Sequence, residues 1–379
     1  MKYHFFITTT IPETLIFFKG QPQLWSETFD VCAVSSGSSE LKDFAACEGI
    51  RYEQIPMNRE ISLFSDVVSL LRWIWLLLRE KPYIVHGNTP KASLLSMVAA
   101  WLTRRPVRIY MCHGLRYQGT QGKLRKLLMT MEKIACFCAT HVISVSKGVA
   151  DIMMADGLCK KEKIMVIGHG SAGGVDMEKY NSENVNSDVK KELGIPKEAF
   201  VFIFVGRIVG DKGINELVGA FNRINERNQN THLLLVGSKE TELDPICDMT
   251  ASIIENNPSI HAVGMQRDVR PYLKAANALV LPSYREGFGM VLIEAGAMGL
   301  PCITTNITGC NEIIIPGENG AIVEPRDEEG LYREMKKWLD NPSYVSEMTR
   351  KARKLVEDRY ECHKVWQLYY NEYKRLAMK

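Results

Sequence analysis

The sequence predicts an α/β protein of two domains, each built on a parallel, doubly wound sheet. Its 379 residues exceed what one hydrophobic core normally serves. Short, nearly continuous apolar runs alternate with longer helical patterns, as is typical of parallel strands buried on both faces. The alternation is interrupted once near the middle, by the glycine-rich and polar stretches GHGSAGGVD and NSENVNSDVK. Such stretches are typical of an interdomain connection.

In the first half, apolar runs bounded by turn residues predict strands, and amphipathic runs between them predict helices. The strands are expected over 3–8, 29–35, 51–55, 84–87, 107–113, 142–145 and 163–167. The helices are expected over 40–48, 62–79, 91–103, 122–138 and 146–155. The N-terminal domain is therefore placed at 1–170, followed by a linker at 171–195.

The second half repeats the alternation. Strands are expected over 200–205, 232–236, 260–263, 278–281, 302–304 and 321–323. Helices are expected over 213–227, 244–256, 268–275, 289–298, 309–314, 328–339, 343–358 and 362–377. We place the C-terminal domain at 196–358 and a separate final segment at 359–379. Two such domains predict a ligand cleft at the carboxyl ends of their strands.

Composition and charge exclude several classes. A formal net charge of +3 is too mild to indicate a nucleic-acid partner. The ten cysteines include no paired C-x-x-C, which favours a reduced, cytosolic chain. A metal site at Cys136, Cys138 and His141 is the alternative, although buried helix cysteines are commoner. The N-terminus has no signal-peptide pattern, and Asp66 and Arg72 interrupt the most apolar segment. We expect a cytoplasmic protein.

The segment 278–299 (ALVLPSYREGFGMVLIEAGAMG) predicts a buried strand, a glycine-bearing turn and a helix. Glu286 and Glu294 stand eight positions apart in it, with Gly287 and Gly289 between them. Glycines allow close approach, and a helix N-terminus favours anions. This segment predicts a site for a phosphorylated ligand.

A second motif, FVGRIVGDKGINELVGAF, opens the C-terminal domain. Its strand runs into Gly206 and Arg207, then into a Gly-Asp-Lys-Gly turn that holds Lys212. It has neither the G-x-G-x-x-G spacing of dinucleotide sites nor the Gly-Lys-Ser/Thr of a P-loop. The two cations beside a helix start suit a pyrophosphate. A surface loop with exposed charges is the alternative.

Arg207 and Lys212, followed by Glu286 and Glu294 on a strand, turn and helix, resemble the retaining glycosyltransferases of family 4. The resemblance covers nearly the whole chain. It implies the GT-B fold, in which two Rossmann-like domains face each other across a cleft and a C-terminal helix crosses back to the first domain. The stretches IVHGNTPKASLL and VRIYMCHGLR look like the bacterial branch that builds lipid-linked and other polysaccharide precursors.

The resemblance implies a role for each matching residue. Arg207 and Lys212 would hold the donor diphosphate, Glu286 the donor sugar and Glu294 the ribose. The remaining donor-site residues would be Gly206 in the diphosphate loop, Gly264 and Met265 at the base, His113 beside the sugar, and Gly287, Phe288, Gly289 and Met290 as backbone N–H donors. His113 could otherwise be a hydrogen-bonded structural residue.

The chemistry agrees with these roles. Breaking a sugar–phosphate bond leaves negative charge on the departing diphosphate. The chain has no Asp-x-Asp motif to hold a metal there, whereas Arg207, Lys212 and a helix N-terminus can stabilise that charge. We therefore expect transfer without a metal or other cofactor. A front-face mechanism, with Glu286 positioning the sugar, is favoured over double displacement, but the sequence leaves both open.

The loop after the first strand departs from the family pattern. Many relatives carry adjacent glycines there, whereas this chain has Thr8, Thr9 and Thr10. The threonine hydroxyls and backbone would have to substitute. Asn88, Thr89 and Lys91 follow another strand end and are further candidates for the acceptor side, with helix capping as the alternative role for Thr89. The acceptor side is the least constrained part of the resemblance.

Two stretches of the first half are candidate membrane surfaces. Residues 62–79 combine Trp73, Trp75 and three consecutive leucines with flanking basic residues, and 122–138 alternate lysines with leucines. Packing into the core with a solvated basic face is the alternative for both, and is favoured for 62–79. The aromatic residues of the last helix are expected to pack on the first domain.

The sequence thus predicts transfer of a sugar from a nucleoside diphosphate, UDP in the first instance, to a glycan or undecaprenyl-linked acceptor. Capsule, O-antigen or exopolysaccharide assembly is the expected pathway, with peripheral contact at the inner face of the cytoplasmic membrane. A sugar-nucleotide epimerase and a non-catalytic sugar-nucleotide-binding protein are the alternatives. The complete set of Arg207, Lys212, Glu286 and Glu294 counts against the non-catalytic alternative.

Overall fold

The computed structural model describes residues 2–58, 60–240 and 244–378. Residues 1, 59, 241–243 and 379 fall within the predicted domains but lie outside the described part. The chain divides into two compact units: Met1–Gly173 together with His363–Lys379, and Gly174–Cys362.

The first unit contains a parallel sheet of seven strands among its described residues, in the order β3-β2-β1-β4-β5-β6-β7. These strands are β1 (Tyr3–Thr8), β2 (Phe29–Ser35), β3 (Arg51–Gln54), β4 (Ile84–Gly87), β5 (Val107–Cys112), β6 (His141–Ser144) and β7 (Ile164–Val166). The chain first builds outward from β1 to β3 and then restarts at β4 on the other side of β1. The topological switch point therefore lies between β1 and β4.

Six helices in the described part of the first unit connect these strands. They are α1 (Gln21–Trp25), α2 (Ser39–Glu48), α3 (Leu63–Glu80), α4 (Pro90–Leu102), α5 (Gly122–Cys138) and α6 (Lys147–Ala155). Short 3₁₀ helices at Pro12–Phe18 and Arg116–Gly119 occupy stretches for which the sequence predicted no helix. The α2 and α6 helices begin after Ser38 and Ser146, whose hydroxyls accept backbone N–H bonds of the first turn.

The second unit has six parallel strands among its described residues, in the order β10-β9-β8-β11-β12-β13. They are β8 (Phe200–Val205), β9 (Thr231–Val236), β10 (Ile260–Gly264), β11 (Ala278–Leu281), β12 (Cys302–Thr305) and β13 (Gly320–Val323). The central strands β8 and β11 are almost wholly buried, as their continuous apolar sequences predict. Here the switch point lies between β8 and β11.

The helices of the second unit are α7 (Val189–Glu192), α8 (Ile214–Asn225), α9 (Asp248–Asn256), α10 (Arg270–Ala275), α11 (Met290–Ala297), α12 (Glu328–Asp340) and α13 (Pro342–Tyr360). The predicted helix at 309–314 is wrong, because this stretch forms hydrogen-bonded turns. Gly309 has φ 78°, and a Cβ there would lie 2.5 Å from the carbonyl oxygen of Gly287. This left-handed residue and its close contact are incompatible with a regular helix start.

The last helix, α14 (Cys362–Ala377), belongs to the first unit from His363 onward, as the fold prediction required. Its tyrosines are buried there. Tyr373 Oη lies 3.0 Å from His86 Nε2, and Tyr369 Oη donates to the carbonyl of Ser171 at 2.6 Å. Trp366 Nε1 donates to the carbonyl of Gly173 at 2.8 Å. The prediction that the aromatic C-terminal helix packs on the first domain is confirmed.

All ten cysteines are free thiols, and eight of them are buried. Within the described part of the chain, Cys136, Cys138 and His141 do not form a group of three adjacent ligand atoms. None of the described helices combines the length and the apolar character needed to cross a bilayer.

Candidate active site

The loop after β8 is held against the end of β11 by Gly213. This residue has φ 70°, and a Cβ on it would lie 2.1 Å from the carbonyl oxygen of Pro282. Both the left-handed backbone and the absence of space require glycine. A 3₁₀ turn at Gly210–Lys212 precedes it, and α8 begins directly after it. The close approach places Lys212 next to the residues that follow β11.

Lys212 and Glu286 form an ion pair at the switch point of the second sheet. Lys212 Nζ donates to Glu286 Oε1 at 2.5 Å, and Ser283 Oγ donates to the same oxygen at 2.9 Å. The two charged side chains are only 16% and 17% exposed. Thr305 Oγ1, at the end of β12, donates to the carbonyl of Ser283 at 2.5 Å. The structure therefore brings together two residues predicted from separate motifs, where open α/β sheets bind ligands.

Contacts behind this pair fix the two loops to each other. Asp211 Oδ2 accepts from Arg285 Nη2 at 2.6 Å and from Arg285 Nε at 2.9 Å, a bidentate contact of the guanidinium with one oxygen. The Asp211 carbonyl accepts from the backbone N–H of Tyr284 at 2.8 Å. The backbone N–H of Asp211 donates to Asp244 Oδ2 at 2.6 Å. The residues before and after Lys212 in the chain, Asp211 and Gly213, are thus both held in place.

Arg207 has a different partner. Its Nη1 lies 2.9 Å from Glu240 Oε2, and half of its side chain is exposed. Arg207 is the second residue after β8. The backbone N–H of the residue before it, Gly206, donates to the carbonyl of Val236 at 2.9 Å. Diphosphate binding by Arg207 would use the guanidinium N–H groups that Glu240 does not engage, or replace Glu240, and stays a prediction.

The segment from Gly287 to Met290 packs beneath the turn that contains Gly309. The Gly289 N–H donates to the Gly309 carbonyl, and the Met290 N–H donates to the Phe288 carbonyl, both at 2.9 Å. Phe288 is buried, with its ring 5.6 Å from that of Tyr360. Two of the four backbone donors predicted for the ligand therefore have acceptors within the protein. Their role toward a sugar or phosphate stays a prediction.

Glu294 lies on α11, one helix turn beyond this segment. Burial raises the pKa of its carboxyl to about 7, and a hydrogen bond from the Tyr180 hydroxyl opposes part of that rise. Arg353 Nη1 donates to the carbonyl of Tyr180 at 2.8 Å and also contacts the carbonyl of Ala297 at the end of α11. Tyr180 is therefore fixed to the helix that carries Glu294. Tyr180 lies in the predicted linker and was not predicted as a site residue.

Gly264 is the last residue of β10, two strands away from β8, and Met265 follows it. Gly264 has φ 70°, and its carbonyl accepts from the Gly237 N–H at 2.9 Å. Met265 is 79% exposed. These residues are not in contact with the Lys212–Glu286 pair in the described part of the chain, and their contact with a base stays a prediction.

His113 belongs to the first unit and follows β5. Its ring is half-buried between Phe17 and Phe18, both with ring centroids 6.1 Å away. The loss of hydration lowers its pKa to about 4. The imidazole is therefore neutral near pH 7, and it can exchange hydrogen bonds with a hydroxyl group but does not supply a positive charge there.

Polar residues of the first unit gather at its own switch point, after β1 and β4. Thr10 Oγ1 lies 2.7 Å from Thr89 Oγ1, and Asn88 Nδ2 donates to the carbonyl of Thr8 at 3.2 Å. Thr89 is the N-cap residue of α4 but makes no side-chain cap bond. Lys91 is instead buried and paired with Asp66 at 2.7 Å. Thr8 Oγ1 and Asn88 Oδ1 are buried without a protein partner among the described residues.

Comparison with known proteins identifies the family. The model of Glycosyltransferase Family 4 matches residues 24–171, and that of Glycosyl transferases group 1 matches residues 185–355. CapM of Staphylococcus aureus, a capsular polysaccharide biosynthesis glycosyltransferase, is 38% identical over 363 residues, 96% of this chain and 94% of CapM. The chain belongs to the family 4 glycosyltransferases. The family predicted from the two motifs is thereby confirmed.

A further relative of the glycosyltransferase and a solved structure are consistent with this family and its fold. The UDP-Gal:α-D-GlcNAc-diphosphoundecaprenol α-1,3-galactosyltransferase of Escherichia coli is 29% identical over 321 residues, covering 83% of this chain and 81% of that protein. The structure of Anabaena HepE in complex with UDP superimposes with a TM-score of 0.79 at 18% identity, covering 99% of this chain and all of HepE. The latter likeness shows the fold, which is GT-B as predicted.

Sequence reasoning missed several residues that position the site of the glycosyltransferase. Four such residues contact a predicted site residue or lie beside one: Tyr180, Asp211, Ser283 and Arg285. The sequence offered one signal for the contact between Asp211 and Arg285, because the two residues carry opposite charges and each precedes a predicted site residue. No comparable signal marks Tyr180, because its partner is more than one hundred positions away in the sequence.

Replacement of Glu294 by glutamine is expected to change how the stability of the glycosyltransferase depends on pH. The carboxyl has a native pKa of about 7, above its ordinary value, so the native state binds its proton more tightly than the unfolded state. The resulting contribution to the free energy of unfolding is fully present below the ordinary pKa of the carboxyl and is lost as pH rises through 7. Glutamine resembles the protonated acid and does not titrate.

The melting temperature of Glu294→Gln relative to wild type should therefore rise between pH 5 and pH 8, as measured by differential scanning fluorimetry. Glu178→Gln, at an exposed position in the same unit, is the matched control. A constant difference between Glu294→Gln and wild type across this range would show that Glu294 does not titrate there.

Proposed function

We propose that this glycosyltransferase moves a sugar from UDP to an undecaprenyl-linked glycan, with retention of configuration, during assembly of a bacterial capsule or related surface polysaccharide. The observation that carries the proposal is the Lys212–Glu286 ion pair at the carboxyl ends of β8 and β11. It places a cation for a phosphate and a carboxylate for sugar hydroxyls at adjacent positions. The E. coli relative is named for a UDP-sugar donor and a diphosphoundecaprenol-linked acceptor, which supports both substrate classes.

On the donor side, the leaving diphosphate needs positive charge that is in place before the bond breaks. Lys212 is fixed by its ion pair and by the contacts of Asp211, its neighbour in the chain. Arg207 lies on the same loop and can add a second, bidentate contact if it exchanges Glu240 for phosphate. We propose that these two cations supply the electrostatic stabilisation, that Glu294 receives the ribose hydroxyls, and that the reaction is independent of a divalent metal.

On the acceptor side, two buried oxygens of the first unit support binding of a hydroxylated ligand. Asn88 Oδ1 and Thr8 Oγ1 have no protein partner among the described residues, although buried polar atoms are normally hydrogen-bonded. Both residues lie at the switch point of the first sheet. A neutral His113 at the end of β5 adds a hydrogen-bonding group without charge. We assign the sugar-hydroxyl and acceptor contacts of this unit to these residues. We also place the enzyme in the cytoplasm, at the inner face of the cytoplasmic membrane.

A panel of nucleotide sugars with the purified protein tests the proposal, with nucleotide release and product formation measured with and without an undecaprenyl-diphosphate glycan. We expect release of UDP from at least one UDP-sugar, and an α-linked product if the donor is α-linked. Activity should be unchanged by EDTA, because Lys212 and Arg207 provide the positive charge. Loss of activity in EDTA with recovery in magnesium would contradict metal independence. Conversion of the donor to an isomer without transfer would instead identify an epimerase.

A further inference from the structure

Helix α3 presents an apolar face to solvent. It packs Trp73, Leu76 and Leu77 into the core of the first unit. Its opposite side exposes Phe64 (83%) and Trp75 (61%), together with Leu63, Val67, Leu71 and Leu78. The Arg79 guanidinium lies 4.5 Å above the Trp75 ring. A contiguous apolar stripe along a whole helix is uncommon on a protein surface and indicates an interaction site.

Helix α5 exposes cations together with apolar residues. Its exposed residues include Lys123, Lys126 and Lys133, with Leu124, Leu127, Ile134 and Phe137 interspersed among them. All residues of α5 are described, and its single acidic residue, Glu132, is buried with a hydrogen bond from Tyr110. The exposed side of α5 therefore carries positive charge alone. A basic amphipathic helix of this kind is typical of membrane-surface binding.

The two helices belong to one surface. Both α3 and α5 pack against α4, and right-handed crossovers place the three helices on the same side of the sheet. Trp101, near the end of α4, has its ring 6.1 Å from that of Phe137 at the end of α5. We call the exposed sides of α3 and α5, with Trp101, the helical face. It combines two apolar stripes, basic residues and four exposed aromatic side chains, namely Phe64, Trp75, Trp101 and Phe137.

We propose that the helical face docks on the anionic surface of a lipid bilayer. This inference rests on the proposed function, since an enzyme acting on an undecaprenyl-linked acceptor must work at a membrane. Charge complementarity favours lipid, because the cations of α5 lack exposed acidic neighbours on their own helix and match anionic headgroups. A two-fold contact between two copies of this face would instead bring two clusters of lysines together, which is unfavourable.

Vesicle flotation with the full chain tests the proposal. Wild-type protein should bind vesicles that contain phosphatidylglycerol, bind phosphatidylcholine vesicles weakly, and lose affinity as salt rises from about 0.1 M to about 0.5 M. The combined variant Lys123→Glu, Lys126→Glu and Lys133→Glu should bind phosphatidylglycerol vesicles at least roughly a hundredfold more weakly. Each basic group contributes about fivefold to the affinity, and each charge reversal also adds repulsion from the anionic surface. The pair Phe64→Ser and Leu71→Ser should weaken binding at least about tenfold.

Matched controls lie outside the helical face. Charge reversal of the exposed Lys191, Lys197 and Arg227, all in the second unit, gives the same change in net charge, and Met249→Ser, at a 72% exposed position, removes an apolar side chain. These variants should retain binding to within about threefold of wild type after allowance for net charge. Equal binding by the control and test variants, or no binding of wild type to phosphatidylglycerol vesicles, would overturn the proposal. So would a wild-type dimer, seen by light scattering, that becomes monomeric when the helical face is changed.

Failure of this inference can be separated from failure of the proposed function. Nucleotide release from the donor is measured on the same proteins with a water-soluble acceptor analogue. Intact release without vesicle binding rejects the helical face as a membrane site and leaves the glycosyltransferase proposal standing. Vesicle binding that depends on the helical face, without release from any donor, supports the surface and rejects the proposed reaction.

Discussion

Replacement of Lys212 by alanine is expected to lower kcat by a factor of about 10²–10³ while the fold is retained. The Glu286 carboxylate holds the Lys212 ammonium, and the contacts of Asp211 hold the backbone beside it, so the charge is in place when the diphosphate departs. Loss of one preorganised charge of this kind typically costs roughly 3–4 kcal/mol of transition-state stabilisation. Because the ground-state diphosphate is also anionic, KM should rise, but by a smaller factor than kcat falls.

Steady-state kinetics with saturating acceptor measure both constants, and circular dichroism confirms that the variant folds. Lys239→Ala is the matched control, since Lys239 lies in the same unit with about half of its side chain exposed. Its kcat should stay within about twofold of wild type. A Lys212→Ala enzyme with the same kcat as the control would exclude Lys212 from charge stabilisation.

Replacement of Glu286 by glutamine is expected to separate transfer from nucleotide binding. Glutamine keeps the size of the side chain and can accept the hydrogen bond from Ser283 Oγ, but it releases Lys212 from an anionic partner. The freed lysine should bind UDP more tightly, by several-fold, because the pair is only partly screened at 16% and 17% exposure. Transfer should fall about a hundredfold, since the sugar loses its charged hydrogen-bond acceptor.

Isothermal titration calorimetry with UDP and transfer kinetics provide the two readouts for Glu286→Gln. Glu240→Gln is the control, because it frees Arg207 from a carboxylate without changing the Lys212–Glu286 pair. It should strengthen UDP binding with little loss of kcat. Weaker UDP binding by Glu286→Gln would show that the carboxylate supports the nucleotide, and would contradict a role restricted to the sugar.

Much of the fold could be predicted because its signals are local. Strands β1, β2, β4, β8 and β11 have the bounds expected from their apolar runs, since parallel strands buried on both faces read as continuous hydrophobic segments. The predicted helix at 309–314 failed for a tertiary reason. The contact of Gly309 with the carbonyl of Gly287 sets its backbone, and no local pattern encodes that contact.

The candidate site was predictable only in part. Lys212 and Glu286 were recognised because each follows a predicted strand next to glycines, and their pairing follows from the adjacency of β8 and β11. The partnerships of Arg207 with Glu240 and of Glu294 with Tyr180 depend on loop conformations that the sequence pattern does not specify. For α3 the sequence left two interpretations open, a membrane surface and a core-packed helix with a solvated basic face, and the second was favoured. The structure shows a buried side and an exposed apolar side on the same helix.

The discontinuous first unit has a consequence for protein synthesis. Its last element, α14, supplies Tyr373 to His86 and Tyr369 to Ser171, yet the whole of the second unit, Gly174–Cys362, is translated before it. At typical elongation rates this delay lasts on the order of ten to forty seconds. During that interval, the nascent N-terminal region carries uncovered apolar surface where α14 will pack. The first unit therefore cannot complete its packing until the second unit and α14 have both been synthesised.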